Sequence, residues 1–204
     1  MSVWQDSDHS WNQTELAPNH LPSWESLTEL MKMFVAFDLG MEFQECYTFS
    51  AHIDPGLVAS WVGGSHGLMA NVRQRLSRAL KQADMKEAAF CYVVETRTRS
   101  GRSTTRPHLH GFVIAVDPVL ATKFKVTLER ALHPSLKRLG RSRAVFMKRG
   151  HDNGVEFMRR GTWVSYMAKN AQRWDERLGK RRVYFSRTFT DLARLAWASR
   201  RGEL

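Results

Sequence analysis

Long apolar runs are missing from this 204-residue chain, and none approaches the roughly 20 residues that a membrane-spanning helix needs. The first residues also lack the basic-then-apolar pattern of a secretory signal. Cysteine is scarce: Cys46 and Cys91 are the two present, each inside a strand-like stretch. That excludes a disulfide-stapled scaffold and reads as two buried thiols in a reducing compartment. A soluble cytoplasmic protein with no membrane partner is therefore expected. No internal repeat, low-complexity tract or phosphate-cradling glycine loop appears.

Positive charge is missing from one region only. The first Lys or Arg is Lys32, while Asp6, Asp8, Glu15, Glu25 and Glu29 precede it. Trp4, Trp11 and Trp24 lie among Ser, Asn and Pro in the same stretch. Residues 1–31 thus read as an acidic arm anchored by its tryptophans. Residues 32–204 read as a single domain and carry 31 basic against 15 acidic residues, a balance of +16. A charge of that size favours a polyanionic partner.

Periodicity divides the domain into alternating strands and helices. CYTFSA (46–51), AAFCYVVETRT (88–98), HLHGFVIAV (108–116), RAVFMKR (143–149) and RVYFS (182–186) are rich in strand-forming residues. The polar RTRSGRSTTRP between the second and third suits a long cationic hairpin loop. GLVASWVGGSHG reads as a glycine-punctuated connection. In 68–82, Leu68, Val72, Leu76 and Leu80 recur every four residues, with Arg73, Arg75, Arg78 and Lys81 between them. Leu120, Phe124, Leu128 and Leu132 make a second helical stripe. TWVSYMAKNAQRWDERL (162–178) predicts a third helix, and TDLARLAWASR a last one capped by Thr190 or Asp191. The pattern predicts an α+β fold, an antiparallel sheet with its helices packed mainly on one face.

Two features carry chemistry. His108 and His110 are two apart in a strand, so both project from one face and can converge on one metal ion. Glu95 stands in the preceding strand, where an acid is costly unless exposed or paired, and a hairpin would set it beside them. Two imidazoles and a carboxylate leave positions free for substrate or water. On the 162–178 helix, Trp163, Val164, Met167, Ala171, Trp174 and Leu178 share an apolar arc. Tyr166, Lys169, Arg173 and Arg177 border it, and a tyrosine beside cations suits a group that meets a phosphate.

RPHLHGF (106–112) followed by YMAK (166–169) resembles the HUH endonuclease family, above all its rolling-circle replication initiator (Rep) proteins of plasmids and phages. VVETRT and YTFS also fall where that family has an acid-bearing strand and its first strand motif. The resemblance covers roughly residues 43–190. It implies a five-stranded antiparallel sheet with flanking helices, of ferredoxin-like or RRM-like type, that nicks and joins single-stranded DNA. His108, His110 and Glu95 would be metal ligands for Mn2+ or Mg2+, Tyr166 the nucleophile and Lys169 its helper. The partner implied is single-stranded DNA or a hairpin at a replication origin in a bacterial host cytoplasm, with a host helicase. Thr162 stands where some members carry a second tyrosine, which points to the single-tyrosine class. Related readings are a relaxase, a single-tyrosine transposase or a non-catalytic DNA-binding module. Arg73, Arg75, Arg78, Arg97, Arg99, Arg102, Arg106, Lys148, Arg149, Arg173 and Arg177 are the candidate DNA contacts, expected to cluster around the site.

Overall fold

Side-chain alternation along the strands decides how this chain is layered, because most of them are apolar in both phases. In β2 (Ala89–Arg97), Phe90, Tyr92 and Val94 point one way while Ala89, Cys91 and Val93 point the other, all buried. A strand apolar on both sides needs cover on both sides. The computed structural model describes residues 21–42, 46–62, 64, 66–97, 103–115, 117–137, 139–140, 143–149, 162–172, 175–178 and 181–203. Within them β1 (Cys46–His52), β2, β3 (Ser103–Ile114), β4 (Val145–Arg149) and β5 (Val183–Phe185) form one antiparallel sheet, ordered β4-β1-β3-β2-β5. The fold is α+β with a five-stranded sheet and flanking helices.

The helices do not gather on one face, as the sequence pattern suggested. α2 (Pro55–Val62), α3 (Gly67–Gln82) and α4 (Pro118–Leu132) pack on the back of the sheet against Phe49, Phe90, Tyr92, Leu109 and Val113. α1 (Glu29–Glu42), α5 (Thr162–Gln172) and α6 (Arg187–Arg200) pack on the front against Cys46, Cys91, Val93 and Phe112. The reason is the two-sided apolar content of β2 and β3.

Several local expectations shift. α2 replaces the supposed connection: Asp54 Oδ1 accepts from the Gly56 and Leu57 amides, and Pro55 opens the helix. α1 begins inside the acidic arm, at Glu29. Of that arm, residues 1–20, with Trp4 and Trp11, lie outside the described residues; 21–31 pack on the body. There Trp197 Nε1 donates to the Pro22 carbonyl at 2.9 Å, and Arg194 pairs with Glu25 at 2.7 Å. β3 begins at Ser103, so the cationic hairpin loop is shorter than its composition suggests. α5 ends at Gln172; a 3-10 turn at Glu176–Leu178 follows, and Leu178 joins the back cluster instead of the Trp163 arc. Trp174 lies outside the described residues. α6 starts at Arg187, not near Thr190 or Asp191. Its cap is Ser186, whose Oγ accepts from the Phe189 amide and also from the Phe90 amide of β2.

Candidate active site

The site is assembled from two neighbouring strands and one helix. In the β2–β3 register Glu95 lies directly opposite His108, and His110 lies opposite Val93 on one side and Ser50 of β1 on the other. Because residues two apart share a face, both imidazoles and the carboxylate project from the front. One oxygen collects them all. Glu95 Oε2 is 2.8 Å from His108 Nε2, 2.8 Å from His110 Nε2, and accepts from the Tyr166 hydroxyl at 2.7 Å.

Helix α5 brings in the tyrosine. Val164 and Met167 are fully buried against the sheet and fix the helix's rotation. That aims Trp163 and Tyr166, three apart, at the same imidazole. The His110 ring lies edge-on to both, its centroid 5.5 Å from Trp163 and 4.9 Å from Tyr166. Trp163 Nε1 also donates to the Gly111 carbonyl at 3.1 Å, which ties the helix to β3 beside the site. Gly111 itself has no room for a side chain: a Cβ there would run into the Cys91 carbonyl and the Phe49 ring. The glycine of HLHGF therefore serves close backbone approach directly beneath the histidine.

Electrostatics follow from burial. Glu95 is only 7% exposed, a position that opposes ionisation, yet the three donors outweigh desolvation and hold its carboxyl well below the usual carboxylate range. Burial keeps His110 below the ordinary histidine range although Glu95 pulls the other way, so the ring is neutral at neutral pH. Tyr166 remains 40% exposed. Its hydroxyl reaches a buried carboxylate from a side chain that solvent, or a substrate, can still touch.

The arrangement suits a cation. The ligand atoms of Glu95, His108 and His110 all lie within 4.8 Å of one another. The outer nitrogen of each ring has its own partner: His110 Nδ1 is 3.0 Å from Ser50 Oγ, and His108 Nδ1 is 3.4 Å from the Arg106 carbonyl. Metal-bound histidines are oriented by such outer partners. With protons on Nδ1, two nitrogen lone pairs and a carboxylate face one another, and a cation reconciles them. With protons on Nε2, the same atoms close up as hydrogen bonds. Two imidazole nitrogens and one carboxylate oxygen fit a divalent first-row ion.

The candidate cations do not form one cluster. Lys169 is exposed one turn beyond Tyr166 on the same helix. Arg106 lies two residues before His108, where the β2–β3 register is irregular, and Lys148 lies opposite Thr48 on the front face. Arg149 alternates to the back. Arg73, Arg75 and Arg78 belong to α3, across the sheet from the tyrosine, and the Arg75 side chain bonds the Ala131 carbonyl. The expectation that this helix surrounds the site is corrected, because its leucine stripe packs on the back face. Arg177 is ion-paired to Asp175 at 2.7 Å and donates to the Thr96 carbonyl at 2.8 Å. Arg99, Arg102, Arg173 and the Arg97 side chain lie outside the described residues.

Three contributors escaped sequence reasoning. Ser50 orients His110, and His52 faces His108 in the β1–β3 register with rings 5.3 Å apart. Trp163 clamps Gly111. The first two were visible as alternate polar positions in YTFSAH, had the strand been paired with HLHGF. No helix among the described residues is long and apolar enough to cross a membrane. No family model, curated protein or solved structure matches this chain.

Proposed function

We propose that this protein is a metal-dependent endonuclease that nicks and rejoins single-stranded DNA through Tyr166, as a replication initiator of rolling-circle type does. One observation carries the reading: the Tyr166 hydroxyl, on a helix, reaches the same carboxylate oxygen that two strand imidazoles already approach. A core-margin tyrosine has no structural need of that triad.

His108, His110 and Glu95 would hold Mn2+ or Mg2+, and the ion's contribution when bound is to draw charge from a phosphodiester and orient it. The chain's own residues do the rest. A tyrosine hydroxyl ionises near pH 10 in water and is a poor nucleophile when protonated, so its proton must leave as the bond forms. Tyr166 Oη bonds to phosphorus, the bond from phosphorus to the 3′ oxygen breaks, the phenolic proton passes to solvent, and the departing oxygen takes a proton. The products are a 5′-phosphotyrosine and a free 3′-hydroxyl. Attack by a 3′-hydroxyl reverses each of these bond changes, so rejoining needs no nucleotide cofactor. Lys169, one turn along α5, supplies positive charge on the tyrosine's side of the site. Trp163 and the buried face of α5 hold the phenol in place throughout.

The test is a denaturing gel of the protein with end-labelled single-stranded oligonucleotides and Mn2+. A covalent adduct that disappears with EDTA and in Tyr166→Phe supports the reading. Tight binding with no adduct, across hairpin and unpaired sequences alike, would replace it with a non-catalytic DNA-binding module.

A further inference from the structure

On the front of the sheet, the apolar contacts of α1, α5 and α6 are centred on β2, β3 and β5. Toward the β4 edge the described side chains change character: Ser50 is half-buried, His52 exposed, and Phe146 of β4 is 53% exposed. A phenylalanine in mid-strand on the front face, level with the site, is the odd member of this polar strip. We propose that Phe146 is a stacking platform for a base of the DNA strand cut at Tyr166, with Lys148 beside it as the phosphate contact. The proposal rests on the nicking reading and extends it to how the substrate is held.

Register places the ring. Phe146 lies opposite Ser50, and Ser50 lies opposite His110, so one line across three neighbouring strands runs from the platform to the metal ligand. Two strand spacings amount to roughly 9.5 Å. That span suits a short piece of extended nucleic acid, one phosphate at the histidines and a nearby base over the phenyl ring. Alternation gives both residues the same direction. Lys148, two residues on, points the same way, and its Nζ stands 5.7 Å from the centre of the Phe146 ring. An ammonium over the ring at that range is near the outer limit of a cation–π contact, about 6 Å, and sets a positive charge beside the platform. Aromatic rings that alternate with cations on a sheet face are how single strands are held without regard to sequence.

Charge selects nucleic acid over a second copy of the chain. β4 is a short edge strand that ends in Lys148 and Arg149, and cations on an edge oppose strand-to-strand pairing. The domain's +16 would repel its own copy and attract a polyanion.

The experiment measures equilibrium binding of fluorescent oligothymidylate, and of the same oligonucleotide with its bases removed, by anisotropy at fixed salt. The protein is the full chain carrying Tyr166→Phe, which cannot form an adduct. Adding Phe146→Ala is expected to weaken oligothymidylate binding about five- to hundredfold. Phe146→Tyr should restore it, and the abasic strand should not register the change. Equal affinity of the alanine variant and its parent for oligothymidylate overturns the platform. So does a loss of self-association in Phe146→Ala with DNA binding intact, because the ring would then serve a second copy. The nicking reading is scored separately, by adduct formation in the chain with Tyr166 present. An adduct with no effect of Phe146→Ala removes the platform alone; a stacking effect with no adduct removes the nicking alone.

Discussion

The two faces of one sheet have been put to different uses. The back is mainly apolar: Phe49, Phe90 and Phe124 meet ring to ring, with centroids 5.6 and 5.4 Å apart around Phe124, among residues from α2, α3 and α4. The front begins the same way, with Cys91, Val93 and Phe112 under α1, α5 and α6. Partway along, its apolar rows give way to Glu95, His108, His110 and Ser50. Every strand that builds the site also contributes to the back cluster, one residue away. The same alternation that anchors the strand therefore rigidly presents the polar groups, which is what a preorganised site requires. A polar constellation can be kept stiff without being buried in its own core.

Cutting the back should separate folding from ion binding. Phe124→Ala removes a fully buried ring and is expected to cost about 3–5 kcal/mol in denaturant unfolding. Mn2+ affinity of the remaining folded protein should stay unchanged, as read by calorimetry. A fall in both would mean the faces are not separable. The complementary cut is Glu95→Gln. Mn2+ at a hundred times its dissociation constant should stabilise the parent by about 2.7 kcal/mol, and that increment should vanish in the variant. Chelation by EDTA should have the same effect on the parent. Gly111→Ala tests the seam between the faces: its Cβ meets a backbone carbonyl, so a loss of about 1–3 kcal/mol is expected, with weakened Mn2+ binding as β3 shifts.

The smallest effect concerns the end of β2. Burial of Asp175 opposes ionisation, but Arg177 outweighs it and draws the acid down to about 2. Its folded value lies below its unfolded one, so the stabilisation is present above about pH 4 and fades as pH falls toward 2. Asp175→Asn should therefore flatten the acid limb of a stability–pH curve, by about 1 kcal/mol, while leaving the Mn2+ response alone.

Much of this was legible beforehand, for identifiable reasons. β1, β2, α3 and α4 announce themselves through runs of Phe, Tyr and Val or leucines at fourfold spacing. Glu95, His108, His110 and Tyr166 could be paired because strand alternation and helical phase are rigid rules. What failed was less periodic. In α1, apolar residues come on nearly every position of LMKMFVAF and blur any single stripe. The glycines near α2 hid an Asp-Pro start. In the polar first half of β3, Ser103 pairs with Arg97 of β2 across an irregular register, which no composition reveals. The arginines of α3, expected to cluster around the site, lie across the sheet from it, because a helix's basic stripe says nothing about which face its leucines seek.

Glu95, His108 and His110 fall within sixteen consecutive residues, whereas Tyr166 joins them from 71 positions downstream of the carboxylate. On the nuclease reading, a nascent chain leaving the ribosome owns its cation grip well before it owns its blade. A polypeptide that ended before α5 would, on that reading, keep the ligands of the ion without the group that cuts.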